Sequence, residues 1–223
     1  ANARPTLPLR ADGELVLTVP GAPPSRHQAI LLQRENGDIY IELRDPSIKA
    51  LILDRGARAY ILPAHTSKPR SFALDEQLLG SDFTCEDLQP FVESRYASPQ
   101  VADSTPRQLT VSLVPRKSQY SLLVITFDAE KNIPTKTLYY IKTLNNIVKA
   151  RRDDDEVLVG GRWRPQKISM EHFQLHTRSV LDLTWKETGA IALNLFHPDS
   201  LAHPSGLEWP ARAPNQSPPD TGG

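Results

Sequence analysis

The chain has 223 residues, with 26 Lys+Arg balancing 26 Asp+Glu, so no net field draws it to a phosphate backbone or an anionic bilayer. No apolar run approaches the roughly 18 residues of a membrane-spanning helix. The single cysteine, Cys85, excludes an intramolecular disulfide, and no Cys/His spacing suggests zinc, so neither a metal nor a cofactor is expected.

Five prolines crowd residues 1–24, which read as a Pro-rich segment around one strand, 14–19. The opening Ala1-Asn2-Ala3 is compatible with a trimmed secretory precursor. From there the hydrophobic period is two. Ile39, Ile41 and Leu43 share one face, as do Leu109, Val111 and Leu113, and again Leu181, Leu183 and Trp185. Turn signals separate the runs, notably Asn36-Gly37, Asp54-Arg55-Gly56, Gly160-Gly161 and Glu187-Thr188-Gly189. The strands predicted after the first are 27–34, 38–44, 49–54, 57–62, 108–114, 120–128, 134–142, 146–151, 155–159, 163–175, 178–186 and 190–196. Hairpins in succession imply one antiparallel sheet, and a sheet of about a dozen strands must curl or close.

Segments 64–96 and 197–208 break the rhythm. In the first, Thr84 reads as an N-cap ahead of Glu86 and Asp87, and Pro90 ends the helix or restarts it over 91–96. Six prolines after Phe196 mark 198–223 as an extended tail, with Trp209 as an anchor onto the body. The expected parts are therefore 1–24, a domain over 25–197, and the tail 198–223.

Strand 120–128 is apolar on both faces: Tyr120, Leu122 and Val124 on one, Leu123, Ile125 and Phe127 on the other. Either a second layer covers it, or a curved sheet encloses an apolar cavity for a ligand. Asp82, Glu86 and Asp87 read as turn and cap residues rather than as a general acid–base pair. His172 and His176 lie on one strand face but lack a third metal ligand. Cys85 reads as a buried residue, not a nucleophile, and the run Lys149–Glu156 reads as a solvated hairpin loop or a docking surface for a membrane partner. No catalytic residue emerges, and an enzyme is not expected.

The segment Gly80-Ser-Asp-Phe-Thr-Cys-Glu-Asp-Leu88 resembles the G-S-D-F-T-Y-E-D-L signature of bacterial outer-membrane lipoprotein-sorting proteins of the LolA-like superfamily, with Cys85 in place of Tyr. Arg58-Ala-Tyr-Ile-Leu-Pro63, followed by Lys68 and Arg70, resembles that family's W-x-Y-L-P strand. Gly161-Arg-Trp-Arg-Pro165 with Met170 resembles its G-x-W-x-P-x-x-x-x-M strand, Thr177 stands where the family opens the next strand, and Phe196 where it ends the last. The N-terminal helix that many such proteins carry before the sheet has little room beside Pro20, Pro23 and Pro24.

The resemblance implies an unclosed antiparallel half-barrel of about eleven strands with short helices on its concave side. It also implies a periplasmic carrier or chaperone that binds lipid or lipoprotein acyl chains, partnered by an inner-membrane exporter and an outer-membrane acceptor. Gly80, Ser81, Asp82, Phe83, Thr84, Glu86, Asp87 and Leu88 are then a structural loop. Such a carrier is physically coherent. Leaving a membrane unassisted costs about 0.8 kcal/mol per CH₂, on the order of 20 kcal/mol for a two-chain lipid. The expected apolar lining is Ile39, Ile41, Ile61, Leu122, Val124, Leu138, Tyr140, Ile168, Met170, Leu181 and Leu183, or, if the other sheet face is the concave one, Leu123, Ile125, Phe127 and their neighbours. A monomer that binds no nucleic acid is expected. A lipid-sensing or protein-interaction regulator of the same fold, and a hydrolase using Cys85, Asp82 or Glu86, are the alternatives.

Overall fold

The computed structural model describes residues 8–53, 58–73, 75–78, 80–88, 95–116, 118–141, 146–189, 191 and 193–211. One sheet holds thirteen strands: β1 (Leu9–Thr18), β2 (Ser25–Gln33), β3 (Ile39–Leu43), β4 (Ile48–Leu53), β5 (Arg58–Leu62), β6 (Arg70–Ser71), β7 (Tyr96–Ser104), β8 (Gln108–Pro115), β9 (Leu122–Asp128), β10 (Ile133–Ile141), β11 (Asn146–Val159), β12 (Arg162–His172) and β13 (Thr177–Glu187). Every pairing is antiparallel, in the order β6-β5-β4-β3-β2-β1-β13-β12-β11-β10-β9-β8-β7. Two meanders, β1–β6 and β7–β13, are thus joined where the first strand meets the last. The sheet does not close, because β6 and β7 are its two edges. β6 has only two residues, while β7 carries Pro99 and two register shifts, devices that keep an open edge from pairing with another chain.

Inner faces of strands across the sheet converge on one core. Leu31, Ile41, Ile52, Leu113, Leu123, Met170 and Leu183 belong to it, together with Phe72, Leu78, Phe83 and Cys85 from the segment between β6 and β7. That convergence requires a curled sheet, and the 72–88 segment is its plug. The outer face of β2–β5 has its own cover. Ile30, Leu32, Tyr40, Leu51 and Leu53 pack against Leu195, Phe196 and Leu201 from two 3-10 turns, Leu193–Phe196 and Pro198–Ala202, with Trp209 beyond them. This strap is held by Lys49 Nζ donating to the His203 carbonyl, by Arg10 donating to the Glu208 carbonyl, and by Arg44 stacked 5.2 Å over Trp209.

Several elements differ from expectation for identifiable reasons. β1 runs back to Leu9 and lies between β2 and β13, inside the sheet rather than before it. Leu201 and Trp209 are docked, so the packed body continues past 198. The strand expected over 190–196 is replaced over its last four residues by the 3-10 turn that contains Phe196; residues 190 and 192 lie outside the described residues. The expected strands 146–151 and 155–159 are one strand, β11, whose Lys149, Arg151 and Asp153 turn inward, so the run expected as a hairpin loop is strand interior. β12 stops at His172, leaving His176 in the turn. A helix over 91–96 is not formed through its end, because Tyr96 opens β7; residues 91–94 lie outside the described residues, as do 1–7, 54–57 and 212–223.

Gly13 explains how β1 fits. A Cβ there would lie 1.8 Å from the Asp182 carbonyl oxygen, so the β1–β13 seam closes only around glycine. Gly13→Ala is therefore expected to lower stability by about 1–3 kcal/mol or more, read as a fall in thermal midpoint by circular dichroism.

Candidate functional site

The plug is pinned through the residues of the signature segment. Asp82 accepts from Thr177 Oγ1 at 2.5 Å and from Ser179 Oγ at 2.9 Å, so the loop is tied to the first turn of residues in β13. Thr84 caps the 3-10 turn Glu86–Leu88: its N–H and Oγ1 donate to Asp87 Oδ2 at 2.7 and 2.9 Å, while the Asp87 N–H returns to the Thr84 carbonyl. Lys149 Nζ reaches the same Oδ2 at 2.7 Å and the Asp82 carbonyl at 3.0 Å, and the Tyr139 hydroxyl donates to Asp87 Oδ1 at 2.6 Å. Arg151 holds the Asp87 carbonyl while pairing bidentately with Asp153. One carboxylate thus takes four donors, with the Lys149 and Asp87 side chains only 3% and 1% exposed.

Burial by itself raises the Asp87 pKa, but the Lys149 charge and the hydrogen bonds from Lys149 and Tyr139 outweigh it and hold the carboxyl below the usual range. For Lys149, burial works downward and the Asp87 charge more than restores the ammonium, leaving its pKa raised. Glu86 goes the other way, pushed up by burial and by Asp87. Cys85 is fully enclosed, its thiol raised by burial and then by the Asp87 charge, so it presents no thiolate nucleophile. Among the described residues no group of His, Cys, Asp and Glu has the arrangement of a metal site.

Among the described residues, several spaces open beside the plug. An apolar groove of about 720 Å³ lies under β7, β8 and β9, lined by Tyr96, Pro99, Leu109, Val111, Leu113 and Phe127, with Arg116 and Asn132 as its polar members. Burial pushes the Tyr96 hydroxyl up to about 12, keeping it neutral. A smaller pocket of about 140 Å³ includes Trp163, Arg164 and Trp185. A polar cavity of about 270 Å³ includes Asp82, Lys149 and His172, whose pKa burial lowers.

The expected lining residues divide by face. Ile39, Ile41, Ile61, Ile168, Met170, Leu181 and Leu183 come together in the inner core, and Ile39, Ile168 and Leu183 reach the smaller pocket. Leu122, Val124, Leu138 and Tyr140 point to the outer face. Register decides this: Leu123 pairs with Tyr139, whose hydroxyl reaches inward to Asp87, so the Val124–Leu138 and Leu122–Tyr140 pairs must face out. Of the β9 residues, Leu123 and Ile125 are in the core and Phe127 lines the groove. Tyr96 and Pro99 carried no signal, because β7 has no hydrophobic alternation; Leu109, Val111 and Leu113 were visible as one strand face but not as a lining.

Stability from Asp87 is complete above the ordinary carboxylate pKa of about 4 and is lost as pH falls through its lower folded value; stability from Lys149 is present below about 10.4 and lost as pH rises through its higher folded value. Asp87→Ala and Lys149→Met are each expected to cost about 3–5 kcal/mol in denaturant melts at pH 7, the double variant costing less than their sum, and Asp87→Ala flattens the acid limb of the stability profile.

A protein-family model described as an uncharacterized protein matches residues 49–203. No curated protein matches the chain. Among solved structures, a domain from Vibrio parahaemolyticus assigned to outer membrane lipoprotein sorting superposes with a TM-score of 0.75 at 16% identity. A LolA superfamily protein from Nitrosomonas europaea gives 0.67 at 18%, and a DUF1329 family protein from Desulfovibrio piger 0.72 at 14%. Each alignment covers 88% of this chain and 92% of the other. The thirteen-stranded open sheet around its pinned plug is therefore a LolA-like fold, and the chain belongs to the uncharacterized-protein family whose model spans β4 through the C-terminal strap.

Proposed function

We propose that the chain is a periplasmic carrier or chaperone that holds the acyl chain of a lipid or lipoprotein in the groove under β7–β9. In this reading it receives its cargo from an inner-membrane exporter and yields it to an outer-membrane acceptor. The groove is the observation that carries the reading. Its 720 Å³ falls within the roughly 300–1,000 Å³ of small-molecule sites, and its walls are mainly aliphatic and aromatic. An acyl chain of about 15 methylenes loses on the order of 12 kcal/mol in water, and such walls return most of that. Transfer then runs close to thermal neutrality with no bond made or broken. The likeness to the Vibrio lipoprotein-sorting domain supports the same reading, and among the described residues no helix is long and apolar enough to cross a membrane.

Protein purified from its own host is expected to release an acyl lipid or acylated peptide into organic extract, identified by mass spectrometry; an empty extract together with no binding of acyl probes overturns the proposal. Val111→Asp, inside the groove, is expected to weaken acyl binding at least about tenfold, whereas Val124→Asp on the opposite face leaves it unchanged, both measured by fluorescent fatty-acid titration with circular dichroism as the fold control.

A further inference from the structure

Among the described residues Arg164 is a charge at a pocket wall with no counter-charge. Its Nε is buried with no hydrogen-bond partner, and no described carboxylate pairs with the guanidinium. One face lies 5.9 Å from the Trp185 ring centroid. Burial, and then the neighbouring Arg162 charge, pull its pKa below the ordinary guanidinium value. The surrounding charges do not relieve it: Asp153, the carboxylate of the same pocket, is taken bidentately by Arg151, and Glu156 is taken by Lys131, which itself sits 5.0 Å over Trp163. A half-buried guanidinium whose Nε–H is shut away from water without a partner is costly until an acceptor completes it.

The pocket that Arg164 lines adjoins the groove across β9 and β10. Phe127 of the groove is the cross-strand partner of Pro134 of the pocket, and Asn132 and Ile133, consecutive in the β9–β10 connection, line one space each. Pocket and groove are therefore neighbouring spaces, and the pocket contributes a cation.

Building on the carrier reading, we propose that the cargo is an anionic amphiphile whose carboxylate or phosphate sits on Arg164 and whose acyl chain runs past Phe127 into the groove. The guanidinium offers the planar donor fork that both oxyanions accept, and the flanking tryptophans exclude water from the contact. Arg116 also lines the groove, but it is exposed and its Nε already donates to the Tyr96 carbonyl at 3.2 Å.

Three probes of one chain length separate the possibilities at pH 8: dodecanoate, dodecyl phosphate and dodecanol. Binding is followed through tryptophan emission, since Trp163 and Trp185 border Arg164 while Trp209 lies on the far face of the sheet. Both anions are expected to bind about tenfold or more tightly than dodecanol. Arg164→Gln and Arg164→Met are expected to abolish that preference while keeping dodecanol affinity, and Arg116→Gln to leave it intact. Equal affinities for all three probes, or a preference that survives loss of Arg164 or follows Arg116, overturn the head-group assignment and leave the apolar carrier standing. A chain that binds none of the three overturns the carrier reading itself.

Discussion

The buried pair of Lys149 and Asp87 is the constraint on which the rest of the structure depends. Two charges with almost no solvent contact survive only when every remaining donor and acceptor is met, and here Thr84, Tyr139 and the Asp82 carbonyl meet them. Satisfying them fixes the plug against β10 and β11 in one position. The plug in turn fills the middle of a sheet that would otherwise leave a wide apolar trough. Because its footprint is set by directional bonds, the volume it leaves under β7–β9 has a definite place and size. A plug held by apolar contacts alone would slide and smear that volume across the concave face.

Much of the sheet was legible in the sequence. Period-two runs and glycine turns located ten of the strands within a few residues, and Gly160-Gly161, both with positive φ, forms the tight hairpin its sequence announces. The two-residue β6 escaped altogether, and two longer strands escaped wholly or in part for opposite reasons. The N-terminal half of β1 reads as a turn because Asp12-Gly13 interrupts it, whereas Gly13 is there to let β13 approach. β7 reads as loop because, exposed along most of its length, it needs no apolar alternation. β11 was split because charge was taken to mean solvent, when Lys149 and Arg151 are the sockets for the plug and Asp153 holds Arg151 in place.

The site was legible only in part. The nine-residue signature lies in the plug, where Asp82, Thr84 and Asp87 carry the pinning bonds. Its partners lie 62 to 97 residues away in sequence, at Lys149, Thr177 and Ser179, so no local pattern could name them. Which face is concave was equally hidden, since β9 is apolar on both sides and only its register with Tyr139 breaks the tie. The equal numbers of acidic and basic side chains also acquire a structural meaning: several are matched inside the fold, so charge neutrality here reflects internal pairing more than a bland surface.

The C-terminal strap has a mechanical consequence. β2–β5 are clamped between the central core on one side and Leu195, Phe196, Leu201 and Trp209 on the other, which makes that flank a three-layer wall. β7–β9 carry no such backing from the strap, and their outer residues Leu122 and Val124 are only half-buried. Stiffness therefore falls off across the width of the sheet, from the strapped flank to the free edge. The groove sits at the compliant end, where the strands can bow outward, while the clamped flank preserves the frame.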